Sequence, residues 1–342
     1  MPLLQNPLTA QVKILDGSAL VDLPDLAVIS VSGTDRLAWL HSLLSQNLRN
    51  LQPGQSVEAL ALDANGHVEA IVRCIDDGET TRLIVDSTSF VAVFDWLRKM
   101  VFRSKVVVND DRDSFAFVGS WLTPLSHVTP AFSWTDGWSQ TVQGGYRYGA
   151  APTEPWALVL NAISREIHAA LLSDPAQNWA PTDALDALRI NAHRPALAEV
   201  DEKTIPHELD LLASAVHLSK GCYRGQETVA KVHNLGHPPR RLVLLHLDGS
   251  NHLLPEVGNA VVVGFGSAEE RVVGRVTSAA NHFEAGPIAL AVVSRNTPID
   301  AQLTVIGNHE PVAASQEVIV PQDAGKVANI PRAGLLAKPR RP

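Results

Sequence analysis

Apolar residues change their period in a set order between residues 33 and 118, and that order restricts the fold more than any other feature of the chain. Leu37, Leu40 and Leu44 recur at helical spacing over 33–50, with Thr34 or Asp35 placed to cap the start. Residues 57–86 then read as a β-meander, with Asn65-Gly66 and Asp77-Gly78 as turn signals between apolar runs. Helical spacing returns over 88–102 through Phe90, Phe94, Leu97 and Val101. Val106–Val108 and Phe115–Val118 follow as short strands. The order α-β-β-β-α-β describes an α+β sandwich rather than a doubly wound sheet.

The remainder divides by pattern. Residues 120–155, rich in Trp, Gly, Pro and Thr, read as loops and irregular strands. Trp156–Leu160 reads as a strand, 163–172 as a helix, and 183–192 as a second helix between Pro181 and Pro195. From residue 239 onward six short β runs follow: Leu242–Leu247, Ala260–Phe265, Arg271–Thr277, Ile288–Val293, Leu303–Ile306 and Val312–Val320. Strands at that spacing predict a small barrel or sandwich. The expected division is 1–118 and 119–238, both α+β and free to interleave in sequence, then a β-barrel over 239–328. A basic tail, 329–342, has four cations, three prolines and no acid and is expected to be disordered. At 342 residues the chain has length for two or three domains, each with its own core.

The octapeptide Lys220-Gly221-Cys222-Tyr223-Arg224-Gly225-Gln226-Glu227 concentrates the chemistry. It holds a thiol, two cations, a carboxylate and an amide, with glycines whose backbone can adopt positive φ or approach a ligand closely. Lys220 and Arg224 favour the thiolate of Cys222, which makes a reactive thiol or an inert buried one the two readings of this residue. Cys74 and Cys222 are the only cysteines, too few for a disulfide framework, and a reducing, cytoplasmic setting is expected. The first residues lack a basic segment followed by an apolar core, and no apolar run is long enough to span a bilayer. His233 and His237 have ligand-like spacing near Cys222 but lack the paired cysteines of a structural zinc site, so no metal is expected. Phosphate-loop and dinucleotide fingerprints are missing. A net charge of −8 argues against general nucleic-acid binding, and neither direct nucleic-acid nor membrane contact is expected. Residues 220–241, with five cations against Glu227, suit a small anionic ligand or are a solvated basic face. Asp186 and Arg189 are spaced for an i,i+3 ion pair, or Arg189 faces a pocket and pairs with a ligand. Glu199, Asp201, Glu202, Glu208 and Asp210 form an acidic stretch just before the basic octapeptide, placed for charge pairing with it, or are a solvated loop.

The spelling KGCYRGQE resembles the K-G-C-[FYW]-x-G-Q-E signature of the YgfZ branch of the YgfZ/glycine-cleavage T-protein family. The likeness extends over 29–66, over ALDALRINAHRP (184–195), over AEVDEKTIPHEL (198–209), and from the signature through Val243. It implies a three-domain arrangement around a central channel, with two α+β domains and a small C-terminal β-barrel. It also implies binding of tetrahydrofolate or a one-carbon derivative. Carried over, Arg189 is the expected folate contact, and Asp186, Asp201 and Glu208 match acidic positions. Lys220, Gly221, Tyr223, Gly225, Gln226 and Glu227 match the signature around Cys222, the expected critical thiol. The transferases of the family carry two aspartates in the first meander, where this chain has Ala70 and Ile71, and they lack the cysteine. The resemblance therefore implies a folate-binding protein that supports iron–sulfur cluster assembly or repair, and so tRNA-modifying iron–sulfur enzymes. Iron–sulfur assembly proteins or enzymes are its expected partners. A folate-dependent aminomethyltransferase or one-carbon transferase is the first alternative, and a non-catalytic folate-binding scaffold the second.

Overall fold

The computed structural model describes residues 3–151, 155–250, 253–307 and 310–328. The expected tail over 329–342 lies outside them. Helix α1 (Pro7–Leu15) starts at Asn6, whose side chain accepts from the N–H groups of Leu8 and Thr9. Strands β1 (Leu20–Asp22) and β2 (Leu26–Ser32) follow, then helix α2 (Arg36–Leu43). The meander is β3 (Ser56–Leu62), β4 (Val68–Asp76) and β5 (Thr80–Asp86). Helix α3 (Ser87–Met100) leads to β6 (Val107–Asp110) and β7 (Ala116–Trp121). Next come β8 (Phe132–Thr135), β9 (Leu158–Ile163), α4 (Arg165–Ser173), β10 (Trp179–Ala180) and α5 (Thr182–Asn191). Helix α6 (Gln226–Leu235) then precedes six strands: β11 (Arg240–Leu247), β12 (Ala260–Val263), β13 (Arg271–His282), β14 (Gly286–Ser294), β15 (Leu303–Ile306) and β16 (Val312–Val318).

These strands form three sheets. One has the order β3-β4-β5-β2-β6, a second β10-β1-β7-β9-β8, and β11 to β16 close into a barrel. The first sheet is a continuous stretch of chain inserted between β1 and β7 of the second. The fold is α+β with a closed C-terminal barrel.

Period-2 burial places β4 between two cores. Ile71 and Ile75 join a central cluster shared by all three sheets, which includes Leu60, Leu160, Leu188 and Leu290. Ala70, Val72 and Cys74 face the other way, onto α2 and α3. Arg73, two residues from Ile71, shares the central face.

Several elements differ from expectation. The helix expected over 33–50 stops at Leu43, because Leu44 is extended (ψ 158°). Beyond it the polar groups serve another segment: Ser45 Oγ donates to Ala215 O, and Gln46 Nε2 donates to Ser214 O. β2, α1 and α6 lack an expected counterpart. β2 is buried along its central five residues, so it shows no alternation to read.

Candidate functional site

A cleft of about 550 Å³ opens where the three sheets meet. Arg73 and Asp86 reach it from the first sheet, Trp156 from the entry to β9, Asp186 and Arg189 from α5, and Ser278 from the barrel. Its size is ordinary for a small-molecule site.

Arg189 is the best-anchored cation in the wall. Its Nε donates to Asp186 Oδ1 at 3.0 Å and its Nη1 to Glu199 Oε2 at 3.0 Å and Arg194 O at 2.9 Å. Its Nη2 donates to Ser278 Oγ at 2.8 Å. Glu199 is fully buried and also accepts from Ser278 Oγ. Burial alone would lower the Arg189 pKa, but the two carboxylates hold it above its usual value. The i,i+3 ion pair and the cleft-facing position therefore coexist. Four of the five guanidinium donors are spoken for, and Asp186, 57% exposed at its side chain, is the partner within reach of solvent.

Beside it, Arg194 joins two sheets. It pairs bidentately with Glu58 on β3, and its Nε donates to Asp136 Oδ2, beyond β8, at 3.1 Å. Ser214 Oγ donates to Glu58 at 2.9 Å, Trp156 Nε1 donates to Asp136 at 2.8 Å, and the guanidinium lies 5.2 Å from the Trp138 ring centre. No motif marks this cluster, because its members are separated by up to 156 positions.

The acidic stretch fastens the barrel. Arg240, the first residue of β11, donates to Asp201 Oδ2 at 2.6 Å and to Glu208 at 3.0 and 2.8 Å. Arg275 adds a 3.3 Å contact to Asp201. The Arg240 guanidinium holds the Asp201 carboxyl far below the usual carboxylate range. The acidic stretch thus pairs with Arg240 and not with the octapeptide, whose Arg224 pairs with Glu69 instead.

The octapeptide lies elsewhere, and none of it lines the junction cleft. Lys220 is buried and its Nζ donates to three carbonyls, those of His41, Leu44 and Gln46 (3.0 Å for the last). Burial pushes its pKa down to about 7, against which the carbonyls at the C-terminal end of α2 favour the cation. Its Nζ also lies 4.8 Å from the centre of the Tyr223 ring, which is buried in the central cluster. Tyr223 is therefore held inside the protein and does not line the junction cleft. Gly225 (φ +81°) precedes α6 and abuts the β3–β4 turn; a Cβ there would stand 2.7 Å from Asp63 O. Gly221 has neither positive φ nor a close neighbour. Gln226 Nε2 donates to Lys220 O at 3.3 Å, closing the loop on itself, and Glu227 is exposed in the first turn of α6. Arg224 pairs with Glu69 at 2.9 Å. Within this rigid loop the Cys222 side chain is exposed, whereas Cys74 is fully buried and burial pushes its thiol pKa well up.

Among the described residues no group of His, Cys, Asp and Glu is arranged to hold a metal ion, and no helix is long and apolar enough to cross a membrane. His233 Nδ1 meets Tyr148 Oη at 2.7 Å, and His237 Nδ1 donates to Ala324 O.

No family model matches the chain. It is 25% identical over 297 residues to the tRNA-modifying protein YgfZ of Serratia proteamaculans, covering 84% of this chain and 87% of that one. It is 26% identical over 303 residues to the protein of the same name from Yersinia enterocolitica, covering 87% and 91%. The crystal structure of the glycine cleavage system aminomethyltransferase T from Bartonella henselae superposes with a TM-score of 0.70, at 17% identity, over 94% of this chain and 91% of that one.

Proposed function

We propose, from the premise that this chain is a member of the YgfZ/glycine-cleavage T-protein family, that it binds tetrahydrofolate and supports iron–sulfur cluster assembly or repair, with Cys222 as its critical thiol. Enzymes that modify tRNA are the expected beneficiaries, in keeping with the name of the relatives. The observation that carries the reading is the junction cleft. Its residues fit the ligand. Arg73 and the one uncommitted N–H of Arg189 would meet glutamate carboxylates, Asp186 and Asp86 would accept from ring N–H donors, and Trp156 offers an aromatic wall, which supports the reading. Bound tetrahydrofolate would supply a one-carbon carrier.

A transfer role lacks its base. Ala70 and Ile71 are fully buried and apolar where the transferases carry aspartates, so no carboxylate stands there to assist at a folate nitrogen. The thiols point the same way. With Cys74 sealed in the core, Cys222 is the one accessible thiol of the chain, and a cluster needing four thiolates must draw the rest from a partner.

The test is Cys222→Ala in cells lacking the native protein, scored by an iron–sulfur-dependent tRNA modification. The side chain is exposed, so the purified variant should melt with the wild type. Loss of the modification is expected. Full activity would overturn the thiol role and leave a folate-binding scaffold.

A further inference from the structure

We propose that the outer face of α3 and the turn after it form a binding site for a single-stranded stretch of RNA. The site goes beyond the folate and thiol reading and stands on separate residues. Phe102, in the turn between α3 and β6, is 87% exposed, and its φ of +41° is a backbone state that bulky side chains rarely adopt. That state holds the ring out in solvent. The Arg103 guanidinium lies 5.3 Å from the ring centre. Arg98, Lys99, Arg103 and Lys105 put four cations into eight residues, and none of them forms an ion pair among the described residues. The nearest acids in sequence are Asp95 on one side and Asp110 and Asp111 on the other, and Asp35 accepts from Lys105 N–H.

A second aromatic–guanidinium pair joins Trp96, on α3 six residues before Phe102, to Arg224 of the octapeptide. Trp96 lies 5.9 Å from the Arg224 guanidinium and lines an open cleft of about 770 Å³ with His67, Val93 and Glu202. Trp96 shares a helix face with Lys99 and Met100, the face that leads to the basic turn. Planar rings and guanidinium faces are what unpaired bases stack on, and a cationic track carries the phosphates. The carboxylates of the cleft, Asp63, Glu69 and Asp201, are engaged by His67, Arg224 and Arg240; Glu202 is exposed. Such acceptors suit base amino groups and the 2′-hydroxyl, and they disfavour phosphate or a backbone lacking that donor. The phosphates are thereby assigned to the basic turn and a base to the Trp96 cleft. An anionic membrane is less well matched, because one exposed ring and a few aliphatics are too little apolar surface for anchoring. The overall charge of −8 excludes a general nucleic-acid surface, and this local patch departs from the expectation that the chain makes no such contact.

The test is fluorescence anisotropy of the full chain with a labelled 12-nucleotide single-stranded RNA at low and moderate salt. Saturable binding with a negative salt slope is expected, weakened about tenfold in Phe102→Ala and more in Arg103→Glu/Lys105→Glu. The Phe102 variant should keep its tetrahydrofolate titration, since that residue lies outside the junction cleft. The proposal is overturned by RNA binding that ignores these substitutions, by equal affinity for DNA of the same sequence or for polyphosphate, or by binding only to anionic phospholipid vesicles.

Discussion

Asp210 ends a short 3-10 turn in left-handed backbone (φ 56°), buried to 1% exposure. Its Oδ1 accepts from Tyr148 N–H at 2.8 Å, and Arg147 Nη1 stands 3.6 Å from Oδ2. Burial pushes its pKa up to about 6, against the pull of the Tyr148 N–H and of Arg147. Between the unfolded value near 3.8 and about 6 the folded protein keeps a proton that the unfolded chain has released, so this residue's contribution to stability falls as pH rises through that window. Asp210→Asn keeps the acceptor, tolerates the left-handed backbone, and cannot ionise. Relative to wild type it should gain up to about 3 kcal/mol between pH 4 and pH 7, read by urea unfolding at both. A wild-type-to-variant difference independent of pH would contradict the assignment. At this scale the sequence is legible where partners are close. Asp186 and Arg189 are visible as an i,i+3 pair, but nothing in the spacing announces Ser278 as the third partner, because the barrel brings it from 89 positions away.

Elements dock through the backbone as much as through side chains. The loop before α6 meets the β3–β4 turn glycine to glycine, with Gly225 against Gly66. The octapeptide's second glycine is thus explained by close approach and by φ, and its first by neither. Gly225→Ala would place a methyl 2.7 Å from Asp63 O and 2.8 Å from Gly66 Cα at a φ of +81°. A loss of roughly 2 kcal/mol or more is expected from strain and overpacking together. Thermal melts and Cys222 labelling rates measure it: a lower melting temperature with faster labelling is expected, and an unchanged pair would show that the turn gives way freely. The barrel strands are legible in the sequence because most are short apolar runs bounded by Gly, Pro or Asn, although β13 continues to His282, past the expected end at Thr277. α6 starts inside the glycine-bearing octapeptide, and β2 is buried along its central five residues, Ser30 included, so neither carries a clear period to read.

The whole molecule is held around its junction by charges that converge from distant parts of the chain. Arg194 ties β3 to the loop beyond β8, Arg240 ties the barrel to Asp201 and Glu208, and Arg189 ties α5 to Glu199 and Ser278. The buried pairs Arg194–Glu58 and Arg189–Glu199 are costly to break from one side, because the remaining charge is stranded, whereas Arg240–Asp201 is part-exposed. Asp201 and Glu208, matched to the family's acidic positions, are engaged in that framework. Arg189 is also part of it, so its removal would perturb the cleft as well as any ligand contact. Arg73 is a cleaner probe: it lines the cleft and holds only the part-exposed Asp86, at 3.5 Å. The measurement that bears most directly on the central claim is an anaerobic calorimetric titration with tetrahydrofolate, run on the wild type and on Arg73→Ala. Saturable one-site binding is predicted, weakened about tenfold in the variant with its melting temperature preserved, as for loss of one charged hydrogen bond. An absence of saturable heat at millimolar ligand, or equal affinity in the two proteins, would contradict the placement of folate in the junction cleft.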